Sequence, residues 1–130
     1  MSSAGSEQQS ITQLYQQGLS YHQKGQLTAA ADCYQTLLVK DANHADAKHL
    51  LGLVRHQLGD VESAHQLITQ AIKLNPKAPH YYNNLANVLL SKGDVTKAQQ
   101  TAKTAVNLCP NYADALVTLA VTCIESGNYI

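Results

Sequence analysis

Along residues 45–78 the apolar positions form two short stripes of helical period separated by a break. Leu51, Val54 and Leu58 recur at three- and four-residue steps and share one face of a first helix. Ala64, Leu67, Ile68 and Ala71 do the same for a second. Gly59 stands at the break, where a left-handed residue ends a helix without a Cβ clash. Asp60 follows it, an acceptor suited to the free N–H groups at a helix start. The pattern predicts a helical hairpin.

The pattern returns at a fixed step. Gly25, Gly59, Gly93 and Gly127 lie 34 residues apart, in the phrases Gln-Lys-Gly-Gln, Leu-Gly-Asp, Lys-Gly-Asp and Ser-Gly-Asn. Ala30, Ala64 and Ala98 each follow their glycine by five residues. A period of this size marks a repeat architecture. The blocks are 11–44, 45–78, 79–112 and a partial 113–130. Numbered within a block, position 8 is small (Gly18, Gly52, Ala86, Ala120), position 24 is Tyr34, Ile68 or Ala102, and position 27 is Leu37, Ala71 or Ala105. Position 32 is Pro76 and Pro110, with Ala42 in the first block. Small residues let the two helices of a hairpin approach closely, and the prolines stop the second helix. Asp94 and Asn128 repeat the helix-start role of Asp60. One hairpin cannot bury its apolar face alone; about three stacked repeats are needed. The expected fold is therefore all-α: an α-solenoid of stacked antiparallel helix hairpins forming one domain over residues 11–130. Residues 1–10 are small and polar and read as a disordered lead-in. Ser10 and Gln13 read as a capping box for the first helix.

The small residue at position 8, Gly at 15, Ala at 20 and 27 and Pro at 32 resemble the tetratricopeptide repeat family across nearly the whole chain after residue 10. That resemblance implies a right-handed superhelix whose first helices line a concave binding face. Lys48 and Arg55 depart from the family pattern, and the first block matches it weakly. The phrases at 49–54, 71–76 and 82–89 look similar to repeats that precede bacterial glycosyltransferase or sulfotransferase domains.

Charge and cysteines narrow the function. Nine Lys/Arg balance nine Asp/Glu, which argues against a nucleic-acid or acidic-membrane footprint. No run of about 18 apolar residues is present, so no membrane span is expected. No secretory signal opens the chain, and Cys33, Cys109 and Cys123 show neither disulfide nor metal spacing. They fit core positions in a reducing compartment, which points to the cytoplasm. The glycines are helix punctuation rather than a phosphate loop, and no nucleophile–base pair stands out, so the chain does not read as an enzyme.

Carried over from the family, the groove-facing positions are 2, 5, 6, 9, 12 and 13. From these, Tyr15, Leu19, His22, His49, Leu53, His56, Asn83, Asn84, Asn87, Val117 and Val121 are the expected peptide-binding residues. Asn amides can pair with both N–H and C=O of an extended peptide, and Asn84 resembles the asparagine ladder of O-linked N-acetylglucosamine transferases. Tyr15 and Leu19 stand where a clamp for a C-terminal carboxylate needs lysine and asparagine, which argues against that ligand. His22, His49, His56 and His80 are expected to face the groove, open to a metal-binding, a pH-sensing or a plain lining role. His49 and His56 are seven residues apart on one helix, about 10.5 Å along its axis. That is too far to share an ion with ~2.1 Å bonds, so no metal or cofactor is expected.

The last helix, 113–126, is apolar nearly all round where a terminal cap needs a polar face. The sequence is thus expected to be a piece of a longer array that self-associates through this helix. The expected function is a scaffold that holds a protein or peptide in its groove. The alternatives are a substrate-presenting or dimerising repeat region ahead of an enzyme domain, and a structural spacer.

Overall fold

The computed structural model describes the backbone of residues 3–127 and the side chains of residues 10–127. Seven α-helices and no strand occur among the described residues. They are α1 (Ser3–Gln23), α2 (Leu27–Lys40), α3 (Ala45–Gln57), α4 (Val61–Leu74), α5 (Pro79–Ser91), α6 (Val95–Leu108) and α7 (Ala113–Glu125). Consecutive helices pair as the hairpins α1–α2, α3–α4 and α5–α6, and each hairpin packs on its sequence neighbour. Across the stack, α5 touches both α3 and α7.

The turn inside each hairpin follows from its glycine. Gly59 has φ +91°, a region closed to most side chains. There its N–H donates to His56 O at 3.0 Å and Asp60 N–H donates to Arg55 O at 2.8 Å, capping the carbonyl end of α3. The pair recurs at Gly25–Gln26 and Gly93–Asp94. Asp60 and Asp94 then cap the next helix, accepting from Ser63 N at 3.2 Å and Lys97 N at 3.3 Å. Gln26 in the first block makes no such side-chain cap. Asn128, expected in the same role, lies outside the described residues.

One expectation changes at the N-terminus. α1 begins at Ser3, so Ser10 sits inside the helix and cannot cap it with Gln13. Between Ser3 and Ser10 the sequence carries no proline to stop a helix, and alanine, glutamate and glutamine there favour one. The lead-in read over residues 1–10 is therefore helical from Ser3 onward.

Inside each hairpin, positions 8 and 24 divide a fixed space. Gly18 lies beneath the Tyr34 ring, Gly52 beneath Ile68, and in the third block Ala86 stands with Ala102. A Cβ on Gly52 would sit 2.7 Å from Ile68 Cγ1, and one on Gly18 would meet the Tyr34 ring. Glycine is used where the partner is large, and alanine where it is small. Ala30, Ala64 and Ala98 at position 20 are fully buried and seal the same contact.

Candidate functional site

The first helices α1, α3, α5 and α7 carry the expected groove residues, and side chains tie α1 to α3 and α3 to α5. His22 Nε2 donates to Gln57 Oε1 at 2.7 Å. Asn84 Nδ2 donates to His49 Nε2 at 2.7 Å. His56 Nε2 bonds Ser91 Oγ at 2.8 Å, and that hydroxyl donates onward to Asn87 O at 3.3 Å. Tyr81 OH donates to Asp46 Oδ1. Each of the four ties joins residues 35 apart, one repeat plus one position. The offset is that of parallel helices laid side by side with a small stagger.

Donor roles separate the histidines. Gln57 Oε1 can only accept, so His22 carries its proton on Nε2. Ser91 spends its proton on Asn87 O, so His56 donates as well. His49 alone accepts at Nε2. Its ring stacks on Tyr81 at 4.6 Å and meets His80 edge-on at 5.1 Å. Burial first, and then the neighbouring His80, lower its pKa to about 4, with Asp46 opposing the shift. Burial also lowers His56. Burial and then the bond to Asp46 raise Tyr81.

Two expected groove residues are enclosed by the stack. His49 is 4% exposed and Asn83 is 5% exposed, so neither offers a ligand appreciable surface. Both occupy position 5; the Tyr81 ring closes over His49, and Tyr112 lies near Asn83. Asn83 Oδ1 has no hydrogen-bond partner. Tyr15, Leu19, His22, Leu53, His56, Asn84 and Asn87 are half-buried, while Val117 and Val121 are exposed, Val117 at 63%. The ties join His49 to Asn84 directly and His56 to the Asn87 backbone through Ser91; Tyr15, Leu19, Leu53, Val117 and Val121 are outside them. Among the described residues no three His, Cys, Asp or Glu side chains are grouped as metal ligands.

At one end of the face lies a cleft of about 340 Å³ lined by Ile11, Thr12, Tyr15, Gln16, Asp41, His44 and Asp46. Its wall is the Tyr15 ring, 5.4 Å from the His44 ring. His44 is fixed because its Nδ1 accepts from Ala47 N at 3.1 Å, capping α3. Asp41 and His44 come from the turn before α3, not from a first helix, so positions on the helices alone do not reveal them. Asp46, Gln57 and Ser91 sit at the carried-over positions 2 and 13 though not among the expected peptide-binding residues, while Tyr81, at position 3, lies outside those positions. Their signal in the sequence is a polar residue one position on, in the next block, from His22, Asp46, His49 and His56; His80 has Ala115 there.

Two family models match consecutive stretches of the chain, one described as TPR repeat over residues 18–59 and one as Tetratricopeptide repeat over residues 57–115. The photosystem I assembly protein Ycf3 of Rippkaea orientalis is 29% identical over 126 residues, covering 83% of this chain and 73% of that protein. Human tetratricopeptide repeat protein 7B is 28% identical over 95 residues, covering 73% of this chain, which spans only 11% of that relative's length. Among solved structures, a mutant O-GlcNAc transferase of Thermobaculum terrenum superposes with a TM-score of 0.88 at 27% identity, over 90% of this chain and 22% of the transferase. The first TPR of Spaghetti (RPAP3), bound to an HSP90 peptide, superposes with a TM-score of 0.87 at 18% identity, over 92% and 94% of the two chains, a likeness of fold alone. Since the two models join into one run of the same repeat, over the helix hairpins described above, the chain belongs to the tetratricopeptide repeat family.

Proposed function

We propose that this chain is a non-catalytic interaction module that holds an extended peptide or partner segment along the face of α1, α3, α5 and α7. The observation that carries this reading is the mixed character of that face. Half-buried amides and hydroxyls stand beside the aliphatic side chains of Leu19, Leu53, Val117 and Val121. Such a lining can pair with a peptide backbone while seating its side chains. Support comes from relatives in fold: one neighbour is described with an HSP90 peptide, and the chaperone SycD of Yersinia enterocolitica with a peptide of the translocator YopD. The three cysteines are free thiols, which supports placing the module in the reducing cytoplasm. The test is titration of a defined panel of fluorescent peptides. Saturable binding that weakens about tenfold in the double variant Leu53→Ala, Asn87→Ala is expected, from the loss of one buried aliphatic contact and one amide pair. Unchanged affinity would remove the groove from the account.

A second reading is favoured by the likeness to the O-GlcNAc transferase. Here the repeats are the substrate-presenting or dimerising region of a larger enzyme. The parent reading frame decides it: a transferase domain downstream supports this reading, and its absence leaves the free-standing module.

A further inference from the structure

The partner's charge can be read from where this chain keeps its own. None of the nine Lys/Arg falls on positions 2, 5, 6, 9, 12 or 13 of a first helix, whereas Asp46, Asp114 and Glu125 do. Lys24 follows α1 outside those positions, and the other three cations on the first helices and their ends are turned elsewhere. Lys48 Nζ donates to Gln70 on α4 at 2.7 Å. Lys92 Nζ lies 3.2 Å from Glu62 of α4 and 2.8 Å from His65. Arg55 lies near Asp60 at the turn. A chain with no net charge thus presents a groove of negative sign.

The cleft beside α1 concentrates that sign. Asp41 and Asp46 both line it, no lysine or arginine does, and neither carboxylate is in an ion pair among the described residues. Asp46 accepts from Tyr81 OH through Oδ1 only, and Asp41 from Asn43 N at 3.3 Å, so acceptor capacity remains on both. The Tyr15 ring supplies a face on which a cation can rest.

We infer that the groove takes a basic segment, with a lysine or arginine side chain of the partner seated in the cleft between Asp41, Asp46 and Tyr15. This rests on the groove reading above and adds to it the chemistry of the occupant. It is the opposite sign from the acidic HSP90 peptide SRMEEVD held by the Spaghetti domain.

The test uses three sets of 12-residue fluorescent peptides with the same apolar residues and either Lys/Arg, Ser/Gln or Asp/Glu at the remaining positions. Anisotropy titrations at low and physiological salt are expected to rank the basic set about tenfold tighter than the acidic set, the gap narrowing with salt. Asp46→Asn keeps an acceptor for Tyr81, so the fold is retained, as circular dichroism can verify. It is expected to weaken basic peptides about fivefold and leave neutral ones unchanged. Asp46→Lys should move the preference toward acidic peptides. Equal affinity of the three sets, or no effect of Asp46→Asn on the basic set, overturns the inference. If Leu53→Ala with Asn87→Ala still weakens every set, the groove reading survives that outcome. If no set binds, or if that double variant changes nothing, the groove reading falls and takes the inference with it.

Discussion

His49 is a basic side chain held where a proton is unwelcome. Its Nε2 accepts from Asn84, its ring is stacked on Tyr81, and His80 stands at its edge. With its pKa lowered from 6.5 to about 4, the folded protein holds it neutral while the unfolded chain takes up a proton near 6.5. Between those values the unfolded state binds more protons, so stability rises with pH. The contribution of His49 is complete above the unfolded value and is lost as pH falls toward 4. The loss is about 2 kcal/mol by pH 5, at 1.36 kcal/mol per pKa unit. Urea unfolding at pH 7.5 and pH 5 measures it. His49→Gln retains an acceptor for Asn84 and is expected to flatten the dependence by about that amount, and equal slopes for the two proteins would refute the account. This residue also shows where positional reasoning stops. The family pattern assigns position 5 to the groove, but whether it is open depends on the size of a side chain in the following block. Tyr81 closes it at His49, and only the packed helices reveal that.

At the seams between hairpins, each junction accepts one ring at either of two positions. The residue just before a first helix and the third residue inside it alternate: His44 with Ala47, Ala78 with Tyr81, and Tyr112 with Ala115. His44 lies against Tyr15, and Tyr112 lies near Asn83, in both cases a position-5 side chain. At the middle junction Ala78 leaves that space, and the fully buried Tyr81 fills it against Ala71 and Ala78. Removing the ring with Tyr81→Ala should cost about 3–5 kcal/mol, the range for a buried aromatic. Adding Ala78→Tyr should recover a good part of it, by restoring a ring from the other side of the junction. A double variant no more stable than Tyr81→Ala in thermal unfolding would show the two positions to be independent. The helices themselves were legible from the sequence because their signals are local: glycine at the break, aspartate after it, and apolar residues at helical spacing. The seam was not, since its two positions belong to consecutive elements and each reads as unremarkable alone. The start of α1 was missed for the opposite reason. A polar stretch with no apolar stripe has nothing to count, yet nothing in it opposes a helix that already exists next door.

For the whole molecule, a stack in which each hairpin touches mainly its neighbours is nearly one-dimensional. Its terminal faces therefore matter more than those of a globular domain. On α7 the buried residues are Ala115, Thr118 and Thr122, small or polar, while Leu116, Val117, Val121 and Ile124 are exposed. Contiguous apolar surface of this kind favours association. Sedimentation is expected to show self-association that grows with concentration, and Val117→Asp with Ile124→Asp, both more than 60% exposed and free of core contacts, to abolish it while leaving the unfolding midpoint nearly unchanged. A native chain that stays monomeric at every concentration would exclude the idea. No helix among the described residues is long and apolar enough to cross a membrane.

The ties between first helices carry a further consequence, for how such a chain can change length. His22–Gln57, His56–Ser91, His49–Asn84 and Asp46–Tyr81 share one interval. Inserting or deleting a single residue within a repeat would throw every cross-tie that spans it out of phase, whereas copying or excising a complete repeat keeps the interval on which such ties depend. Growth and shrinkage of this array are thus quantised, and the permitted quantum is the repeat itself.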